Sequence, residues 1–404
     1  GYVDDIYGYN FCANNGKITA DSHGTHVAGT ISAVNNNGYA VCGIAGGTGN
    51  GDGVKIMSIQ IFEGENGCYS HQIAKGIKYA ADNGAVIINN SWGYDPGVYQ
   101  GDNKYENHDS VLKSAFDYFR KNARLEGVME GGLVVFAAGN EAYTEATYPG
   151  AHRDYISVSA MSSDFKAAYY TNYGPGVNVC APGGDVTYGT TLTVSSASVE
   201  YANSYGYEYM QGTSMACPHV SGVVALGLSY ARKLGKEYSY DDFLAMIYTS
   251  VNNLDYYIET CSKVSNGINF DLTPYWQQMG TGLIDTWRLF MQIEGTPSLV
   301  AKTGESVKLS LNEYMGGAAA NITYLAVEAD EDAYESLGLE EAPYVKNGKL
   351  NIRCTKDGSA KIRIRAIAGG PVLGTDGVMG GTEFSKEISI LSREAGMAKN
   401  GGWL

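Results

Sequence analysis

Over the first 295 residues, short apolar runs alternate with stretches whose apolar positions recur at helical spacing. Val54–Ile61, Ala85–Asn90, Leu133–Ala138, Tyr155–Ala160 and Val177–Cys180 have the length and β-branched content of buried strands. Between them, Ser70–Asn83 sets Ile73, Ile77, Ala80 and Ala81 on one helical face and stops at Gly84. His108–Leu125, Ser214–Lys233, Tyr240–Tyr248, Gly282–Ile293 and the stretch following His23 are the other predicted helices. Strands alternating with helices imply an α/β domain, a parallel sheet with helices on both faces. In such a sheet, reactive side chains gather at the carboxyl ends of strands and the starts of helices.

After Gly295-Thr296-Pro297 the period changes to two, through Val307/Leu309/Leu311, Ile322/Tyr324/Ala326, Leu350/Ile352/Cys354, Ile362/Ile364/Ala366 and Ile388/Ile390. Turns such as Lys346-Asn347-Gly348 separate these segments, and Gly369–Gly381 reads as a further loop. The pattern therefore predicts two domains: residues 1–295, and a C-terminal antiparallel β-sandwich over 296–404. The second carries no His/Cys cluster and reads as a stabilising or positioning module.

Composition narrows the function classes. The 404 residues are 44% hydrophobic and 18% charged with 53 Gly, which describes a packed globular protein with many tight turns. A net charge of −15 argues against nucleic acid or an anionic membrane surface as partner. No apolar run has the ~18 residues a membrane-spanning helix needs. The seven cysteines form no CxxC pair, and the odd count leaves at least one without a partner in the chain.

Chemistry concentrates in three segments. Gly212-Thr213-Ser214-Met215-Ala216-Cys217-Pro218-His219 leads into an apolar helix, which puts the Ser214 hydroxyl in a first turn. Unpaired N–H groups and the positive end of the helix dipole favour developing negative charge there. Pro218 reads as a first-turn proline, tolerated because its missing N–H would be unpaired anyway. Asp21-Ser22-His23-Gly24-Thr25-His26 opens another helix, with Asp21 or Ser22 as its cap. A zinc reading fails, because the two histidines are three apart with no Glu between them, whereas the zinc helix needs His at i and i+4. His23 is the candidate base; His26 and His219 read as structural. Val134–Ala138 is a buried run that delivers Gly139-Asn140, and a neutral Asn amide donates toward an anion without adding a competing charge. Asn89-Asn90-Ser91-Trp92-Gly93 ends another strand and offers backbone to which an extended peptide can pair.

HGTHVAG, SWG, AAGN and GTSMACPHVSG, in that order, resemble the subtilisin-like serine peptidases. Ala181-Pro182-Gly183 and Gly280–Leu289 extend the likeness over residues 1–295, and the C-terminal segment lies outside it. The resemblance implies Ser214 as nucleophile, His23 as general base and then general acid, and Asn140 with the Ser214 N–H as oxyanion hole. Ser91, Trp92, Gly93, Ala138 and Gly139 would be the edges that hold a polypeptide substrate as an added strand and flank its main pocket. It implies a secreted, periplasmic or cell-surface setting, no required cofactor, and structural calcium near Asn37 in the loop Val34–Cys42.

The family also carries a triad Asp on the first strand of its sheet. Asp4, Asp5 and Asp21 precede His23, but none follows a buried strand. Gly1–Phe11 reads like the segment after that strand, so the expectation is an N-terminally incomplete domain, a truncation or cleavage product of an active peptidase. Either a separate N-terminal fragment supplies the Asp, or neighbouring strands rearrange, or the chain is poorly assembled around His23. The readings left open are an impaired endopeptidase, a non-catalytic subtilisin-fold protein that grips peptides, and acyl transfer to an amine.

Overall fold

The computed structural model describes residues 2–394, apart from 40, 65, 186–197, 202–203, 208, 259–261, 266–267, 296–297, 313, 317–320 and 374–378. In chain order its first part contains β1 (Gly8–Asn10), α1 (Ser22–Ser32), β2 (Ser58–Gln60), α2 (Ser70–Asp82), β3 (Ile87–Asn90), α3 (Asp102–His108), α4 (Ser110–Asn122), β4 (Leu133–Ala137), β5 (Ile156–Met161), β6 (Val179–Pro182), α5 (Thr213–Leu234), α6 (Tyr240–Thr249), β7 (Val251–Asn252), β8 (Leu283–Ile284) and α7 (Thr286–Glu294). A six-stranded sheet of order β7-β8-β6-β5-β4-β3 forms the centre, parallel except for β7 at its edge.

The α/β expectation holds for a physical reason visible in β4. Leu133, Val135 and Ala137 face one core with α5, α6 and α7, while Val134 and Phe136 face a second with α2 and α4. Leu133 to Phe136 are all fully buried, as a strand covered on both faces must be. The second core is aromatic: Phe116 lies 5.3 Å from Phe136 and 5.1 Å from Tyr155, ring centre to ring centre.

Two predicted helices are divided. His108–Leu125 belongs to α3 and α4, which break at Asp109 (φ −123°, ψ 46°). Asp109 is 6% exposed, and its carboxylate accepts from the Tyr94 hydroxyl and from Ser70 Oγ at 3.3 Å. Partnering a buried carboxylate outweighs continuing the helix. Gly282–Ile293 begins as β8, because Leu283 pairs with Cys180 and Ile284 with Val251. The helix starts only where Asp285 caps it, accepting from Arg288 N at 3.0 Å.

The strand predicted over Val54–Ile61 shrinks to β2, which pairs in parallel with β1 as a separate two-stranded sheet. Ile59 of β2 and Ile88 of β3 pack on the same α2–α4 core, yet the two strands do not pair. A disulfide, Cys12–Cys68, ties the β1 end to the segment before α2. Gly76 lets the β1–β2 unit approach α2: a Cβ there would lie 2.6 Å from Ile59 Cγ2 and 3.1 Å from Phe11 Cδ2. Gly76→Ala is therefore expected to cost ~1–3 kcal/mol of overpacking, read as a lower urea midpoint, despite the better helix propensity of Ala.

The second part contains β9 (Ser298–Lys302), β10 (Ser306–Ser310), β11 (Ile322–Glu328), α8 (Glu331–Leu337), β12 (Tyr344–Lys346), β13 (Lys349–Arg353), β14 (Gly358–Leu373) and β15 (Met379–Arg393). They make a four-stranded sheet, β9-β15-β14-β11, and a three-stranded one, β10-β13-β12. Every pairing is antiparallel except β9 with β15, which is parallel and departs from the antiparallel expectation. The β14–β15 hairpin fixes the direction of β15, and the chain entering from α7 runs alongside it. That hairpin also occupies most of the predicted Gly369–Gly381 loop, with Val372 opposite Gly380; residues 374–378 lie outside the described ones.

The hairpin grips the first part through buried polar groups. Thr382 Oγ1 donates to Tyr155 O at 3.3 Å and accepts from Asn178 Nδ2 at 3.2 Å. Lys386, 4% exposed, donates to Thr249 Oγ1 at 2.7 Å and to Gln292 Oε1 at the carboxyl ends of α6 and α7. Burial drives its pKa from 10.5 down to about 7. The unfolded chain keeps that proton up to the ordinary lysine value, so between about pH 7 and 10 unfolding takes up a proton. Stability is expected to rise by a few kcal/mol across that window and to be flat in this term below it. Thermal midpoints measured from pH 6 to 10 check this; Lys386→Met should flatten the rise.

Candidate active site

Ser214 is the second residue of α5, which Gly212 introduces at φ 151°. The Met215 and Ala216 N–H groups bond back to Gly212 O at 2.9 and 3.2 Å, and the Ser214 N–H has no partner among the described residues. Pro218 lies deeper in α5 than the first turn expected for it. Its missing N–H leaves Ser214 O without the usual i→i−4 bond, and Ser91 Oγ donates to that oxygen at 2.8 Å instead. Ser214 Oγ in turn donates to Ser91 O at 3.3 Å. The proline and the serine at the β3 end thus lock α5 onto the sheet at the reactive residue.

Asn140 follows β4 through Ala138 and Gly139, the latter at φ 110°. Its Oδ1 accepts from Thr213 N at 2.8 Å and from Thr213 Oγ1 at 2.9 Å. Both lone-pair directions of the amide oxygen are consumed, and Nδ2 has no partner among the described residues. Asn140 is thus tied to Thr213, the residue before Ser214, and two N–H donors, Asn140 Nδ2 and Ser214 N, are left open among the described residues. Thr213 was missed in the sequence; its signal is its place inside the GTS run, one residue before the serine.

His23 sits at the start of α1, where Asp21 caps the helix, accepting from His23 N at 2.9 Å and Gly24 N at 3.3 Å. α1 packs against α5, bringing the His23 and Ser214 helices together. The His23 ring reaches the surface yet is crowded by protein. Loss of water lowers its pKa, and the Asp21 charge opposes this. A neutral imidazole is the form that can accept a proton near pH 7. No ring hydrogen bond of His23 is present among the described residues: Ser214 Oγ is turned to Ser91 O, and Asp21 is spent on the cap. Asp5 accepts from Tyr79 OH at 2.7 Å, and no hydrogen bond joins Asp4 or Asp5 to His23 among the described residues. His26 is fully buried on α1, and His219 Nδ1 lies 2.8 Å from Met215 O.

The two expected substrate edges differ. The backbone groups of Trp92 and Gly93 make no hydrogen bonds within the described residues, and the Trp92 ring turns inward, 5.4 Å from the Phe136 ring. This edge can take an added strand. Ala138 and Gly139 are already bonded, which favours the pocket-flanking part of their expected role over strand addition. Ala138 O accepts from Thr147 N at 2.9 Å and Ala138 N donates to Val158 O at 3.0 Å; Gly139 N donates to Thr213 Oγ1 at 3.2 Å. Their backbone is saturated, which leaves them as a wall. Asn37 Oδ1, the expected calcium ligand, accepts from Tyr39 N at 2.9 Å in its own turn. No group of three His, Cys, Asp or Glu side chains placed to hold a metal exists among the described residues.

A parallel sheet that gathers a helix-start serine, a histidine helix and a strand-end asparagine at its carboxyl edge is a subtilisin-like α/β fold. Residues 3–262 match Peptidase S8, the subtilase family, and the chain belongs to it. It is 33% identical over 228 residues to the thermophilic serine proteinase of Bacillus sp. (strain AK1), covering 56% of this chain and 48% of that protein. To thermitase of Thermoactinomyces vulgaris it is 31% identical, covering 56% and 68%. Among solved structures, a protease from Pseudoalteromonas arctica superposes with a TM-score of 0.53 at 25% identity, over 72% of this chain and 87% of that one. The chain spans about half or less of the length of several of its relatives.

Proposed function

We propose that this chain is the peptidase part of a serine endopeptidase and cleaves polypeptides through an acyl-enzyme on Ser214. The observation that carries the reading is the anchoring of Asn140 Oδ1 by Thr213, which leaves Asn140 Nδ2 and the Ser214 N–H as paired donors beside the Ser214 hydroxyl. A peptide lies along Trp92 and Gly93 as an added strand. Ser214 Oγ leaves Ser91 O, passes its proton to His23 and attacks the carbonyl carbon. The two N–H groups hold the oxyanion, His23 returns the proton to the leaving amine, and water repeats the sequence to free the acid. The chemistry asks for no cofactor. Residues 1–295 form the peptidase domain and 296–404 a β-sandwich that braces it through β15. The Cys12–Cys68 disulfide supports an oxidising, extracellular setting, in line with relatives named extracellular proteases, and no described helix is long and apolar enough to cross a membrane.

The proposal includes one partner: a β-strand ending in Asp that enters between β2 and β3, from this polypeptide or a separate fragment. Both edges are partly exposed, and each has one open side among the described residues. A carboxylate at the strand's end would orient His23, which lacks one.

The rival reading is a peptide-gripping protein without catalysis, favoured by the absence of a bond between Ser214 and His23. A fluorophosphonate probe separates them. Covalent labelling of Ser214, with or without the added strand, supports the peptidase; none in either state sinks it.

A further inference from the structure

We infer that Asn172 is a positioning residue for the oxyanion donor Asn140. The inference rests on the reading of Asn140 above. Asn172 is fully buried, and all four hydrogen-bonding valences of its amide go to the turn that carries Asn140. Nδ2 donates to Ala138 O at 3.1 Å and to Glu141 Oε2 at 2.9 Å. Oδ1 accepts from Glu141 N at 3.0 Å and Tyr143 N at 2.9 Å. Its backbone N–H adds a bond to Gly139 O at 3.0 Å. Asn140 lies between the anchors at Gly139 and Glu141, and its own N–H is held by Glu141 Oε2 at 2.9 Å.

Gly139 shows how closely the clamp is built. A Cβ there would lie 2.2 Å from Asn172 Nδ2 and 2.7 Å from Glu141 Oε2, on a backbone already at φ 110°. The glycine before Asn140 thus makes room for Asn172. Thr213 fixes the oxygen of the Asn140 amide from the α5 side, and Asn172 fixes the backbone that bears it. An oxyanion donor works by being held in place before charge develops, so a loosened turn should cost turnover with little change in ground-state binding.

Two measurements test this. In hydrogen exchange followed by mass spectrometry, Asn172→Ala should speed exchange over residues 138–143 at least tenfold while the α5 segment keeps its protection. Unchanged exchange there overturns the clamp, whether or not the protein proves to be a peptidase. In peptide hydrolysis, supplied with the Asp-bearing strand, Asn172→Ala should lower kcat roughly 10–100-fold with KM within about twofold. The same substitution in an Asn140→Ala background should do nothing further; an equal loss in both backgrounds would show a general structural role and overturn the positioning. If Asn172→Ala fails to fold, Asn172→Ser replaces it in both measurements. A hydroxyl can make at most part of the four amide bonds, so exchange over 138–143 and kcat should move in the same directions, and no change in either counts against the inference. Absence of turnover in the unsubstituted protein would instead sink the peptidase reading and leave the exchange result to decide the clamp.

Discussion

With the Asp-bearing strand supplied, Ser214→Ala is expected to lower kcat for a peptide amide by about 10⁶-fold while leaving KM within a few-fold; without the strand the loss should be only about 10²-fold. The size follows from subtilisin, where removing the serine or the histidine alone costs about as much as removing the whole triad. That non-additivity is the sharper half of the prediction. Once Ser214 Oγ is gone, His23 has no proton to accept, so His23→Ala in the Ser214→Ala background should change nothing measurable. Residual hydrolysis, ~10³–10⁴ over water, should survive in both, because Asn140 Nδ2 and the Ser214 N–H remain. Removing Asn140 as well should abolish that residue of rate. Ser214→Ala should fold normally: the side chain makes a single bond, to Ser91 O, and the lock between Ser91 Oγ and Ser214 O is a backbone acceptance that alanine keeps. Activity within tenfold of the unsubstituted protein would exclude Ser214 as the nucleophile.

The parts of this site legible in the sequence are those encoded by a local run of residue types. A buried apolar strand ending in Ala-Gly-Asn and a small-residue turn before an apolar helix are one-dimensional signals, and the structure brings them together at one sheet edge. The unread parts depend on contacts across the chain. The lock between Pro218 and Ser91 needs a carbonyl left free in one helix and a hydroxyl on a strand end 123 residues away. Asn172 sits in Thr171-Asn172-Tyr173-Gly174, which by composition is an ordinary polar turn; its burial comes from the segment that folds over it. Asp109 breaks a helix through Tyr94 and Ser70, neither of them its sequence neighbour. The saturation of Ala138 and Gly139 shows the converse limit, since a strand end that looks open in sequence is already bonded on every side. Period and cap chemistry place elements well, and they say little about which backbone groups remain free.

Adding a strand-forming peptide that ends in Asp is expected to raise kcat/KM of the chain by about 10⁴-fold, and the same peptide ending in Asn to give almost none of that gain. The magnitude is again borrowed from subtilisin, where loss of the triad Asp alone costs ~3 × 10⁴ in turnover, close to 6 kcal/mol. Backbone pairing with β2 and β3 should make both peptides bind, because among the described residues neither strand has a partner on its open side, and Ile59 and Ile88 pack on one apolar core. Binding and activation are thus separable, and the Asp/Asn pair isolates the carboxylate. The pH profile gives an independent reading. Without the strand, desolvation holds the His23 pKa below the ordinary histidine value, with Asp21 the opposing charge. A carboxylate bonded to the ring favours imidazolium and must raise that pKa. The acid limb of kcat/KM should therefore move to higher pH when the Asp peptide binds and stay put with the Asn peptide. Equal activation by the two peptides, or an acid limb that does not move, would show that the slot serves packing alone and that His23 works without a carboxylate.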